Sequence, residues 1–248
     1  MKHIVIVLNG KGGVGKSFFA VQFVQYLKEK GLPHVAIDTD NANSTLTRYH
    51  PEARFIDMED TRQLDALFSA TASADVVVVD GRAASTDIFL KYFKEIGLSE
   101  VLNQCETSLT LVVPINHEAD SVDQLQRLVE ELGSAARFVV IRNAAHSEKF
   151  SIYENSEIRV HLRDTMDARE MEMPRLQDWL VEALNRENLT VGTGSRHAAF
   201  SLLDRQRLVN WQRRFQTAVD SWVDLVLPTP SVSGNNVASA QVKGANRA

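Results

Sequence analysis

One cysteine, Cys105, stands in 248 residues. A single thiol closes no internal disulfide, and without a Cys-x-x-Cys pair the chain has no cysteine-based metal or cluster site. A lone cysteine of this kind reads as a reduced core or surface residue. Long apolar runs are missing too, since no stretch approaches the ~20 residues of a membrane-spanning helix. The first apolar run, Ile4 to Leu8, is shorter than the roughly 7 residues of a signal-peptide core, and a glycine loop follows it at once. The expectation is a cytoplasmic protein. Positive charge is not in excess: 27 Lys and Arg against 32 Asp and Glu leave a net charge of -5. That argues against a surface that is a nucleic-acid footprint throughout, while leaving room for a local basic patch. The histidines show no metal-ligand spacing, and no internal repeat is visible.

What is present is an ordinary globular composition, 44% hydrophobic and 24% charged, enough for one large domain with a full core. Short apolar runs alternate with helical patterns. Strands are expected at 3–9, 34–40, 54–58, 75–81, 108–115 and 136–143. Helices are expected at 17–31, 61–72, 87–97 and 118–133. This alternation predicts an α/β fold, with a mostly parallel sheet covered by helices on both faces. Continuous apolar strands such as DVVVVDG agree with burial on both sides. After residue 143 a charged stretch precedes helices expected near 173–187 and 201–227, so residues 1–227 read as one domain. The segment 228–248 is poor in large apolar groups and reads as a disordered tail.

Ligands in such sheets gather at the carboxyl ends of the strands. Asn9, Asp38, Asp40, Asp80 and Asn143 all fall at expected strand ends. Between the first strand and the first helix lies LNGKGGVGKS, whose Gly10, Gly15, Lys16 and Ser17 fit the G-x-x-x-x-G-K-[ST] phosphate loop. Its glycines let successive N–H groups turn inward, and the helix start adds its positive end. Lys16 is expected to reach the β- and γ-phosphates, and the Ser17 hydroxyl to ligate Mg²⁺. The candidate nucleotide-binding set is Gly10, Lys11, Gly12, Gly13, Val14, Gly15, Lys16, Ser17 and Phe18.

The general motif does not explain Lys11. GKGGVGKS resembles the deviant phosphate loop of the ParA/MinD family of partition and positioning ATPases. The resemblance implies a three-layer P-loop fold, ATP and Mg²⁺ as cofactors, and a homodimer formed on ATP. It also implies that Lys11 reaches the phosphates bound by the partner, much as an arginine finger acts in trans. IDTDNANSTLTRY resembles the family's first switch, which gives Asp40 the role of orienting the attacking water and Asp38 a place in the metal shell. VVVVDGRAAS resembles the second switch, with Asp80 holding Mg²⁺, although Arg82 stands where the family usually has proline. Arg82 is open to phosphate, a partner subunit or an acidic surface. Asn143 matches the asparagine that reads the adenine edge. Asp38, Asp40 and Asn143 also have a plainer reading as turn or cap formers, and Lys11 as a solvated loop lysine.

Within the family, DTDNANSTLTRYHP followed by DGRAAS looks most like the plasmid conjugation and stability branch. The resemblance covers roughly residues 1–143. It also implies non-specific DNA contact, for which Arg205, Arg207, Arg213 and Arg214 are the candidates, with a solvated helix face as the bland alternative. The tail has no amphipathic stripe, so no membrane partner is expected. A stimulating adaptor protein is a further partner that the resemblance implies. The functional expectation is an ATP-dependent dimerising switch that positions or partitions plasmid DNA or a large complex. The rivals are a metabolic ligase or small-molecule kinase on the same fold, and a nucleotide-binding module with little hydrolysis.

Overall fold

The computed structural model describes residues 1–227. Seven strands form one sheet: β1 (Lys2–Val7), β2 (His34–Asp38), β3 (Arg54–Phe55), β4 (Val76–Asp80), β5 (Thr107–Ile115), β6 (Arg137–Asn143) and β7 (Arg169–Met173). Their order across the sheet is β3-β2-β4-β1-β5-β6-β7, and every neighbouring pair is parallel. The helices up to the middle of the chain are α1 (Lys16–Glu29), α2 (Thr45–Tyr49), α3 (Thr61–Leu64), α4 (Ala66–Ser69), α5 (Thr86–Ile96) and α6 (Leu98–Gln104). The rest are α7 (Ala119–Leu132), α8 (Ser151–Glu154), α9 (Glu157–Asp164), α10 (Asp178–Glu187), α11 (Val191–Gly194) and α12 (Leu202–Asp220).

Side chains alternate across each strand, so β1 feeds two cores. Ile4 and Ile6 join Val77, Val79 and Leu111 beneath α5 and α7. Val5 and Val7 join Val78, Val112 and Val139 beneath α1 and α12. The second core is aromatic: Phe23 stacks on Trp222 at 5.4 Å, Trp211 on Phe215 at 5.1 Å, and Phe19 lies 5.7 Å from Phe215. Trp211 and Trp222 are thus core anchors, both buried.

The register positions the site. Asp38 lies opposite Asp80 in the β2–β4 pair, and Val7 lies opposite Asp80 in the β1–β4 pair. The chain moves outward on both sides of β1, so the loop after β1 opens at the point where ligands bind in such sheets.

Several elements differ from the sequence reading. The stretch after 143 is not irregular: it holds α8, α9 and the edge strand β7. REMEM alternates charge with methionine, a period-2 signal that is easily lost in a charged neighbourhood; only Met171 and Met173 of this strand are buried. The helix expected from 173 therefore starts at Asp178, after β7 and Pro174. The helix expected over 201–227 is α12, capped by Ser201 Oγ accepting from Asp204 N–H, and it ends at Asp220 before a 3₁₀ turn at Val223–Leu225. The helix expected at 61–72 is broken into α3, α4 and a 3₁₀ turn. The tail expectation for 228–248 lies outside the described residues.

His50 ends α2 with 1% of its surface exposed; Nε2 lies 2.9 Å from Val21 O and Nδ1 2.8 Å from Lys28 Nζ. Burial lowers its pKa to about 4, with Val21 O and Glu52 opposing and Lys28 and His34 reinforcing. Folded His50 stays neutral where the unfolded residue, near 6.5, takes up a proton. Its contribution to stability is therefore complete above about pH 6.5 and is lost as pH falls toward 4. Urea unfolding of wild type and His50→Gln at neutral pH and at about pH 5 checks this. Wild type should lose about 2 kcal/mol more than the variant between the two conditions. Equal losses would show that His50 does not titrate in this way.

Candidate nucleotide and metal site

The loop between β1 and α1 is held from below before it curls. Asn9 is fully buried; its Nδ2 donates to Pro114 O at 2.9 Å and Ser121 O at 3.0 Å, and its Oδ1 accepts from Lys11 N at 2.9 Å. Gly13 (φ 75°) and Gly15 (φ 94°) take left-handed conformations that other residues resist. At Gly15 a Cβ would also lie 2.4 Å from Asn143 Nδ2. The first-turn N–H groups of α1 have no partners within the helix, so they form an anion site at its positive end.

Lys16 is 6% exposed, and its Nζ donates to Lys11 O at 2.9 Å, closing the loop on itself. Burial lowers its pKa, and the carboxylates of Asp80 and Asp40 oppose that shift. A desolvated ammonium beside a helix start with free N–H groups is matched to a polyphosphate.

Asp80 is the clearest anomaly. It is 1% exposed, and neither carboxylate oxygen has a hydrogen-bond partner. Burial raises its pKa to about 7; the Ser17 hydroxyl and Lys16 favour the charged form, while Asp38 and Asp40 disfavour it. The Ser17 hydroxyl is thus close to Asp80, though not in bonding geometry. A buried carboxylate without donors costs free energy unless a cation or proton satisfies it. Mg²⁺ suits this set, because it takes one or two protein oxygens and fills its octahedron with water and substrate phosphate. Among the described residues no group of three or more His, Cys, Asp or Glu is arranged to cage a metal.

The neighbouring carboxylates are already engaged. Asp38 Oδ1 accepts from Asp40 N at 3.0 Å, and Oδ2 accepts from Thr47 N at 3.0 Å and Thr47 Oγ1 at 3.3 Å. Asp38 therefore ties the end of β2 to α2. Asp40 Oδ1 accepts from Ala42 N at 3.0 Å and Asn43 N at 3.2 Å, and Oδ2 from Asn43 Nδ2 at 2.9 Å. Burial pushes its pKa up, but Asn43 and the two backbone donors outweigh that and lower it. Thr39, between the two acids, is a residue the sequence reading missed. Its Oγ1 donates to Asp80 O at 2.7 Å and accepts from Arg82 N at 3.1 Å, stitching the two switch-like turns together. The D-T-D spelling was its only sequence signal. The Arg82 guanidinium pairs with Glu59 of its own chain.

Asn143 sits at the far side of the loop, 6% exposed. Its Nδ2 donates to Val14 O at 2.9 Å, and its Oδ1 accepts from Ala145 N at 3.1 Å. One amide hydrogen and one lone pair are left over for a base. Beside it opens a cleft of about 310 Å³, lined by Gly13, Gly15, Phe18, Asn143, Ala145, His146, Pro174, Leu176, Asp178, Val181 and Glu182. Much of that wall comes from α10, which lies within the helix expected at 173–187, and from the turn between β7 and α10, which the sequence reading did not resolve.

Lys11 points the other way. Its Nζ lies 2.9 Å from Asp120 Oδ2 and 3.2 Å from Glu118 Oε2 at the start of α7, and these carboxylates raise its pKa. Both acids are surface groups, so this pairing is weak. The four arginines expected to contact DNA lie on α12 in different settings. Arg207 bonds to Asp204 at 2.8 Å and Arg214 lies 4.0 Å from Glu172, while Arg213 is exposed and Arg205 partly covered. Asp204 and Glu172, the latter on the unforeseen β7, thus each meet one of the four.

A glycine-walled loop on a helix start, a buried ammonium and an orphaned carboxylate on adjacent parallel strands define a P-loop nucleotide-binding protein. Residues 5–178 match the CobQ/CobB/MinD/ParA nucleotide binding domain, and the chain belongs to that family. It is 22% identical over 225 residues to protein MobD of Acidithiobacillus ferrooxidans, covering 88% of this chain and 97% of MobD. It is 38% identical over 99 residues to protein TraL of Escherichia coli, a match covering 38% of this chain and 41% of TraL. In fold it is similar to the septum site-determining protein MinD of Pyrococcus horikoshii complexed with Mg-ADP, with a TM-score of 0.55, 15% identity, and coverage of 92% and 100% of the two chains.

The Asn143 bonds make a distinct claim about the loop. Asn143→Ala should leave Val14 O unpaired and lower the unfolding free energy by about 1–3 kcal/mol in the absence of nucleotide. Hydrogen exchange in residues 12–17 should quicken in parallel. A variant as stable as wild type would mean that Asn143 is not a prop for the loop.

Proposed function

We propose that the chain is a Mg²⁺-dependent ATPase that acts as a dimerising switch in positioning or maintaining plasmid DNA or a large complex. The observation that carries the catalytic part is the buried, unpartnered Asp80 beside Ser17 and Lys16. It is an arrangement complete only when a cation and a phosphate chain are bound. The similarity to MobD and TraL supports the assignment to plasmid transfer or stability, and the family resemblance of GKGGVGKS supports the dimer.

In this reading the loop amides and Lys16 hold the β- and γ-phosphates, with Ser17 Oγ and Asp80 facing the cation. Bound Mg²⁺ would neutralise charge on the phosphate oxygens. Asp40, ionised and held by Asn43, orients water for in-line attack on the γ-phosphate. Lys11 leaves Glu118 and Asp120 and reaches the phosphates of a second copy, so hydrolysis depends on assembly. Catalysis is by positioning and charge stabilisation, since phosphoryl transfer asks little covalent chemistry of the protein. Asp38 supports this arrangement through α2, and Asn143 through the loop.

Lys16→Ala should abolish nucleotide binding. Lys11→Ala should retain binding while losing ATP-dependent dimerisation and about 10³-fold or more in turnover. Sedimentation and phosphate release measure the two effects, and a monomeric Lys11→Ala protein that hydrolyses normally would remove the in-trans role.

DNA binding through α12 is the finer part of the reading. Arg205, Arg207, Arg213 and Arg214 replaced together by alanine should weaken duplex binding and make it less sensitive to salt. The slope of log K against log salt should become shallower by about one for each phosphate no longer neutralised. Fluorescence anisotropy of a labelled duplex across a salt series gives the slope. Unchanged binding would leave α12 a solvated face.

A further inference from the structure

A second cavity, of about 280 Å³, lies behind the nucleotide cleft between α1, α2 and α10. Its apolar wall is Phe18 and Val21 from α1, Val181 and Leu184 from α10, and Leu189 just beyond. Phe18 and Val181 also line the nucleotide cleft, so one wall serves both spaces. Nothing in the phosphate-loop chemistry uses this cavity.

Half of the residues lining it are polar: Gln22, Thr45, Arg48, Tyr49 and Asn185. Gln22 is buried and its Oε1 accepts from Val191 N at 3.0 Å. The Tyr49 hydroxyl is bonded to Asn185 Oδ1. Arg48 is the sole charged side chain lining the space. Among the described residues Arg48 forms no ion pair; its guanidinium carbon lies 5.1 Å from the centre of the Tyr49 ring. An exposed guanidinium without a carboxylate, set over an aromatic face and near enough to the Tyr49 hydroxyl to oppose the burial that raises its pKa, still has donors of its planar fork to offer an anion.

We propose that this cavity is a second ligand site for a small amphipathic carboxylate, with its apolar body among Phe18, Val21, Leu184 and Leu189 and its carboxylate on Arg48. The volume sets the size: at ~30 Å³ per water-sized group it holds about nine non-hydrogen atoms, close to a medium-chain fatty acid. Sites that combine an apolar wall with a few well-placed polar groups are typical of small-molecule pockets. A polyphosphate does not suit this lining, because one cation and five apolar side chains cannot replace its hydration. The site also touches the switch-like turn. Arg48 and Tyr49 belong to α2, whose Thr47 is bonded to Asp38.

The proposal does not depend on ATP hydrolysis, and its test is separate. The full chain is titrated with octanoate and with neutral octanamide, followed by calorimetry and by saturation-transfer NMR. Octanoate should bind more tightly than octanamide. Arg48→Gln should reduce octanoate affinity by about tenfold while leaving octanamide binding alone. Leu189→Trp, which fills the apolar end, should abolish binding of both. Binding of a fluorescent ADP analogue and the unfolding midpoint serve as controls that each variant is folded. The proposal is overturned if octanoate does not bind the wild type, or binds Arg48→Gln as well as wild type. It is overturned too if Leu189→Trp, folded and competent for ADP, still takes octanoate. Equal binding of octanoate and octanamide would mark the cavity as an uncharged seat for an apolar group, which also sinks it.

Discussion

Everything functional in this chain depends on β1 lying parallel between β4 and β5. That pairing sets Val7 against Asp80, and the β4–β2 pairing sets Asp80 against Asp38. Two carboxylates and the phosphate loop are thereby brought to one rim, with no room to shift. A one-residue slip would send the inward valines and isoleucines to the wrong layer and break both cores at once. The hydrophobic effect thus specifies the geometry of a polar site to within the strand register.

That geometry creates electrostatic tension. Asp80 is buried without donors, Lys16 is buried against a carbonyl, and both have pKa values displaced by desolvation. Around them the chain is careful to satisfy polar groups: Asn9, Asp38, Thr39, Asp40 and Asn143 all make specific bonds that shape the turns. The two unpaired oxygens of Asp80 in so well-bonded a setting are the observation on which the proposed cation site rests. Lys11 stands apart, resting on two surface acids where little free energy holds it.

Much of the core was legible from residue patterns. DVVVVDG and SLTLVVPI are too continuous and too β-branched to be other than buried parallel strands, and the glycine–lysine loop is specific in its strand–helix context. Other features were not legible for physical reasons. β7 is an edge strand, so its outward face tolerates Arg169, Glu170 and Glu172, and the apolar signal shrinks to two methionines. Because β7 was hidden, so were the turn after it that helps to wall the cleft beside Asn143 and the Glu172 that meets Arg214. Asn143 was expected at a base edge by position, yet its bonds to Val14 and Ala145 could be seen only once the loop was folded over it.

By itself the sequence determined the class of fold, the phosphate loop and the identity of the acids at the rim. These depend on local chemistry: glycine tolerance of left-handed φ, β-branching, and the spacing of a lysine from a helix start. Tertiary structure alone decided which polar atoms are spent and which are free. Asp38 and Asp40 read alike with Asp80 along the chain, but donors converge on the first two from nearby turns, whereas Asp80 faces the space under the loop with none. That difference depends on residues distant in sequence meeting across the sheet, and no local pattern encodes it.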